Sequence, residues 1–77
     1  MFVEGTLRQR DDSRFEMVDA NGNYITYFTC GDPLELFWED KWFSGRVEYT
    51  QERGYYLYGD KGRHLTLWEG DRVRFKK

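Results

Sequence analysis

His64 and Cys30 are the only histidine and the only cysteine among 77 residues. Nucleophilic catalysis needs a thiol or hydroxyl with a base in reach. Cys30 with His64 is the one dyad of that kind on offer, and a lone cysteine at a strand end is more often a small buried apolar group. Transition-metal sites draw on clusters of cysteine and histidine, and one of each is no cluster. Asp11-Asp12 and Glu39-Asp40 pair acids in predicted turns, where carboxylates are solvated. A calcium loop also needs a longer ligand series. Gly59-Asp60-Lys61-Gly62 is too short for a phosphate loop and lacks the helix that should follow it. The sequence thus predicts no enzyme, no metal and no cofactor.

The residues that do form a pattern are basic and aromatic. In Arg72-Val73-Arg74-Phe75-Lys76-Lys77, strand alternation sends Val73 and Phe75 inward. Arg72, Arg74 and Lys76 then project from one side, ~6–7 Å apart. Lys61 and Arg63 join them from a preceding turn, and Trp68 or Trp42 offers a stacking platform. Such a comb suits phosphates or an acidic partner. It equally suits an edge strand that charge protects from unwanted pairing. The second pattern is four large aromatics in seven residues: Phe37, Trp38, Trp42 and Phe43.

The elements that must position these residues read as strands. Period-2 stretches recur, and none shows helical period over three turns. Phe2–Gln9, Arg14–Val18, Asn23–Phe28, Leu34–Glu39, Lys41–Thr50, Tyr55–Gly59 and two short terminal stretches (HLTLWE and RVRFKK) are separated by turn clusters. Asn21-Gly22 signals a two-residue type I′ hairpin. Pro33 marks the start of a new element. Seven or eight strands at this spacing leave no room for parallel crossovers. The expectation is one all-β, antiparallel domain: N-terminal strands and a hairpin over residues 1–30, and a small bent barrel over 31–77.

The run from Gly31 to Phe75 resembles SH3-like barrels of the Tudor and Agenet type. It has a Gly-Asp entry, the strand LELFW, then Trp42, Phe43, Gly45 and Val47, a Tyr-Tyr-Leu strand and a closing Arg-Val-Arg. The same order is similar to small uncharacterised domains of Gram-positive bacteria and their mobile elements. The resemblance implies an SH3-like barrel. No full aromatic cage matches residue by residue, so methyl-lysine binding is not implied.

Cross-strand register sorts the aromatics. A two-residue turn at Asp40-Lys41 pairs Glu39 with Trp42 and Trp38 with Phe43. One face then holds Leu34, Leu36, Trp38, Phe43, Gly45 and Val47. The other holds Glu35, Phe37, Glu39, Trp42, Ser44 and Arg46. Trp38 and Phe43 are expected in the core, and Gly45 at the corner of a bent strand. Phe37 and Trp42 point away, either covered by the N-terminal strands or exposed beside Arg46. Tyr55 depends on loop length: a four-residue loop puts Tyr55 and Leu57 outside, a five-residue loop Tyr56 and Tyr58. In the N-terminal hairpin, Phe15, Met17 and Phe28 compete with Val18, Ile25 and Tyr27 for the core side.

The net charge is −2, against a general nucleic-acid binder. Residues 11–52 hold three cations against ten acids, and residues 53–77 seven against three, so a local basic patch remains. No apolar run approaches a membrane span, and no signal peptide is visible. The single cysteine suits a reducing cytoplasm. The expected function is non-catalytic binding of an unidentified protein partner, as an interaction domain or small inhibitor, through Phe37, Trp42, Arg46 and Tyr55. The alternative is nucleic-acid binding through Lys61, Arg63, Trp68, Arg72, Arg74 and Lys76. The expected state is a monomer, or a weak homodimer through strand edges.

Overall fold

Short, turn-bounded stretches of alternating character can only pair antiparallel, and they do. The computed structural model describes residues 1–77. Its strands are β1 (Phe2–Gln9), β2 (Phe15–Val18), β3 (Tyr24–Tyr27), β4 (Pro33–Trp38), β5 (Lys41–Thr50), β6 (Gly54–Gly59), β7 (His64–Thr66) and β8 (Arg72–Lys76). A single 3₁₀ turn, Asp60–Gly62, joins β6 to β7. All eight form one sheet in the order β3-β2-β1-β8-β4-β5-β6-β7. β8 therefore bridges an N-terminal unit, β1–β3, and a meander, β4–β7.

The two hairpin turns exchange the chemistry expected of them. At Asn21-Gly22 only the glycine has positive φ, at 82°. Asp19 and Asn23 close the loop instead: Asp19 N–H donates to Asn23 O, and Gly22 N–H to Asp19 O. The Asp19 carboxylate accepts from the Asn23 and Asn21 amides, both at 2.9 Å. Those bonds, that from Asn23 foremost, outweigh desolvation and hold its pKa below 3.8. The two-residue turn with positive φ at both positions lies instead at Glu39 (48°) and Asp40 (62°).

That turn shifts the β4–β5 register by two residues from the expected one. Phe37 pairs with Trp42, Leu36 with Phe43 and Leu34 with Gly45. A two-residue shift preserves faces, so the division of side chains stands while the individual pairs change. Trp38 now pairs with Lys41 beside the turn. It is not core: it is 47% exposed, because it lies where the hairpin overruns the curved sheet. Phe43 packs against the core from its margin, and the two rings still touch, with centroids 5.7 Å apart.

β5 pairs with β4 through its first half and with β6 through its second. Gly45 stands where the partner changes. A Cβ there would strike the Tyr58 carbonyl and come within 2.8 Å of the Gly59 Cα. Only glycine admits this approach, and the strand bends there.

The curled sheet encloses ten buried residues: Leu7, Phe15, Met17, Phe28, Leu34, Leu36, Val47, Leu57, Leu67 and Val73. The N-terminal hairpin thus turns Phe15, Met17 and Phe28 inward. An irregularity between Met17 and Val18 lets Val18 bury as well. Phe15 on β2 meets Tyr55 on β6 edge-on, with centroids 6.4 Å apart. This contact draws the two halves together. β3 and β7 end the sheet and do not pair with each other, so the expected barrel is not closed by hydrogen bonds.

Tyr55 is the second correction. A three-residue loop, shorter than either expected length, pairs Thr50 with Gly54 and Tyr49 with Tyr55. Tyr55 therefore shares the inner side with Leu57 and packs on the core. Cys30, expected to be buried, is exposed.

Candidate functional site

Strand order brings together two sets of residues that lie far apart in the chain. β8 runs between β1 and β4, so Arg72 and Arg74 project from the same side as Phe2 and Glu4, Glu35 and Phe37, and Trp42. Arg74 Nε donates to Glu35 Oε1 at 2.9 Å, with Nη2 at 2.8 Å from the same oxygen. Arg72 donates to Glu4 Oε2 through Nε (3.2 Å) and Nη2 (2.9 Å). The Arg74 guanidinium lies 4.0 Å from the Phe2 ring centroid and 4.1 Å from that of Trp42. That of Arg72 lies 4.9 Å from Phe37 and 5.4 Å from Trp42. Phe37 and Trp42 touch, with centroids 5.1 Å apart.

Stacked cations of this kind contribute about 0.5–2 kcal/mol each, more as water is excluded. The N-terminal strands lie beside Phe37 and Trp42 in the sheet, not over them. What half-covers the rings is the pair of arginines. Phe2 and Glu4 belong to this face and were invisible as site residues, because only strand order shows that β1, β8 and β4 are neighbours. Glu35, placed on this face by alternation, pairs with Arg74 rather than Arg46.

The remaining predicted residues divide. Arg46 shares the outer face but turns to Glu48 (2.6 Å) and to the Tyr58 ring (5.2 Å). Tyr55 is inside, as described above. Lys76 is exposed at the end of the comb. Trp68 is 67% exposed and lines an apolar cleft of about 210 Å³ with Leu36, Trp38, Leu65, Thr66 and Asp71. Burial in that cleft raises the Asp71 pKa above 3.8, against the lowering effect of the Trp68 N–H. His64 lies between the Tyr56 and Tyr58 rings, 5.2 Å from each.

Lys61 and Arg63 do not join the comb. They line a separate cleft of about 340 Å³ with Lys41, Trp42, Phe43, Ser44, Gly59, Asp60 and Leu65. Arg63 lies 5.4 Å from the Phe43 ring centroid, whereas Arg72 and Arg74 sit over rings of the outer face.

The sequence from Gly5, in the middle of β1, to Phe75 near the end of β8 is the stretch that builds this sheet. It also defines a family. The chain belongs to DUF5348, a domain of unknown function whose model matches residues 5–75. The match spans both the N-terminal unit and the meander, so all eight strands belong to one family unit. No curated protein and no solved structure matches the chain. No helix is long and apolar enough to cross a membrane.

Proposed function

We propose that this DUF5348 domain is a non-catalytic protein-binding module that docks its partner on the outer face of β1, β8, β4 and β5. The observation that carries this reading is the uncovered Phe2–Arg74–Trp42–Arg72–Phe37 stack. Tryptophan and arginine are the residues most enriched at binding hot spots. Here Glu4 and Glu35 hold the two arginines against the rings, so docking orders less side-chain freedom. An inhibitor or regulator that blocks another protein is one form this function takes. An SH3-like relationship accords with the bend at Gly45 and with β8 returning to flank β4. A reducing, cytoplasmic setting suits an exposed Cys30.

The same ion pairs weigh against the nucleic-acid alternative. Arg72 and Arg74 are neutralised by carboxylates, which leaves Lys76 as the one unpaired tooth of the comb.

The test is amide-exchange footprinting of the domain with partners recovered from its source cells. The expected footprint covers Phe2–Thr6, Glu35–Phe37, Trp42–Ser44 and Arg72–Arg74. It disappears in Phe37→Ala, whose melting temperature stays within a few degrees of wild type. A footprint confined to the β3 edge overturns the reading. So does oligonucleotide binding that falls steeply with salt and is lost when Arg72 and Arg74 are both alanine.

A further inference from the structure

We propose that the gap between the first half of β5 and the Asp60–Arg63 turn is a slot for an extended, acidic segment of a partner protein. This rests on the protein-binding reading above and assigns its partner a chemistry. Backbone geometry is the first support. Trp38 and Lys41 flank a two-residue turn and exchange both of their ladder bonds, so at the next pair Trp42 turns its N–H and C=O to the opposite edge. β6 would satisfy that edge, but it pairs with β5 only from Gly45 onward. The edge is therefore open at Trp42, while the Ser44 carbonyl already abuts Gly59, and the chain leaving Gly59 walls off the space beside it.

Charge is the second support. Five arginines of this chain are ion-paired: Arg8, Arg10, Arg46, Arg72 and Arg74. Lys41, Lys61 and Arg63 are not among them, and all three line the slot. Three cations without carboxylate partners around a concave edge favour an anionic occupant.

The flanking residues decide which anion. Glu39 and Asp40 form the adjacent turn and Asp60 lies in the wall, so a continuous polyphosphate backbone would be repelled on both sides. Carboxylates spaced along a strand avoid this. An added strand pairs with Trp42 through its backbone, the mode known as β-augmentation. Its alternate side chains face Lys41, Phe43 and Arg63, where acids fit. The others face Trp42 and Ser44, where apolar groups fit.

The test titrates the ¹⁵N-labelled full chain with an acetylated peptide of alternating Glu and Val, a Lys-Val counterpart, and a dT12 oligonucleotide. The Glu-Val peptide is expected to shift the amides of Trp42, Ser44 and Lys61–Arg63, and the Lys-Val peptide to leave them unmoved. Reversing charge with Lys61→Glu plus Arg63→Glu weakens binding at least tenfold. The inference is overturned by no shift at millimolar peptide, by shifts at β3 instead, by indifference to the charge reversal, or by dT12 moving the same amides at lower concentration. Phe37 lies on the outer face but outside the slot. If Phe37→Ala still removes the partner footprint while the slot binds nothing, the slot fails and the outer-face reading stands. If the slot binds the peptide and no footprint appears on the outer face, the reverse holds.

Discussion

Trp42 stands at the border of two regions built from similar residues. On its outer side, Arg72 and Arg74 lie over aromatic rings with Glu4 and Glu35 holding them. On its edge side, Lys41, Lys61 and Arg63 line a cleft whose one acid, Asp60, forms an ion pair with none of them. The first region has spent its charge internally and offers a flat, ordered, aromatic surface. The second keeps its charge for something else. Counting cations in the sequence cannot separate these cases. What separates them is whether the neighbouring strand supplies an acid opposite each base.

Gly45 joins the two regions, and breaking it should have the largest effect. Gly45→Ala drives a methyl group into the Tyr58 carbonyl and the Gly59 backbone, neither of which can swing aside. Overpacking of this kind costs about 3 kcal/mol. Urea unfolding should show that loss, and both regions should lose their ligands. A loss below about 1 kcal/mol would mean that β5 and β6 can part without harm.

Next come the paired arginines, graded by exposure. Arg74 and Glu35 are 23% and 22% exposed, Arg72 and Glu4 52% and 46%. Arg74→Ala strands a half-buried carboxylate and uncovers Trp42, at a cost of about 1–2 kcal/mol. Arg72→Ala should cost less than about 1 kcal/mol. The reverse order in thermal melts would show that burial does not set the strength of these pairs. In the slot, Lys61→Ala with Arg63→Ala should alter stability by no more than about 0.5 kcal/mol. A clear loss there would show that the slot cations are structural.

The smallest effect is one of pH, at Asp71. Its pKa is raised in the folded state by burial beside Trp68. The folded state thus holds the Asp71 proton more tightly, and this contribution to stability is lost as pH rises from 3.8 through the folded value. Asp71→Asn keeps an acceptor for the Trp68 N–H and carries no charge. Its melting temperature should exceed wild type above that window and converge with it below. A constant difference across pH would place the effect in packing.

Much of the fold was legible because alternation fixes faces. The β4–β5 sides survived a two-residue register shift, since period 2 is blind to an even slip. Alternation does not fix depth, so Trp38 carried the signature of a core residue and lies at an overhang. Nor does it fix loop length: a loop of three residues rather than four turned Tyr55 inward. The site was legible in its residues and not in its grouping. Arg72 and Arg74 were visible as a comb, and Phe37 and Trp42 as a pair, but nothing along the chain says that β8 inserts beside β4. The slot was missed for a related reason. In the sequence Lys41 is a turn residue that also opens a strand, and an open edge shows only where β6 ends at Gly59, opposite Gly45.

The place of β8 bears on how the domain comes to be made. Eighth in order of synthesis, it sits between β1 and β4 and is the only strand that pairs with both units. Until it has left the ribosome, the β1–β3 unit and the β4–β7 meander each expose an open flank and half of a shared core, and Val73, wholly buried between them, is missing. A nascent chain halted before Arg72 should therefore be sensitive to protease along its whole length, and one extended past Lys77 by the length of the exit tunnel should become resistant in a single step.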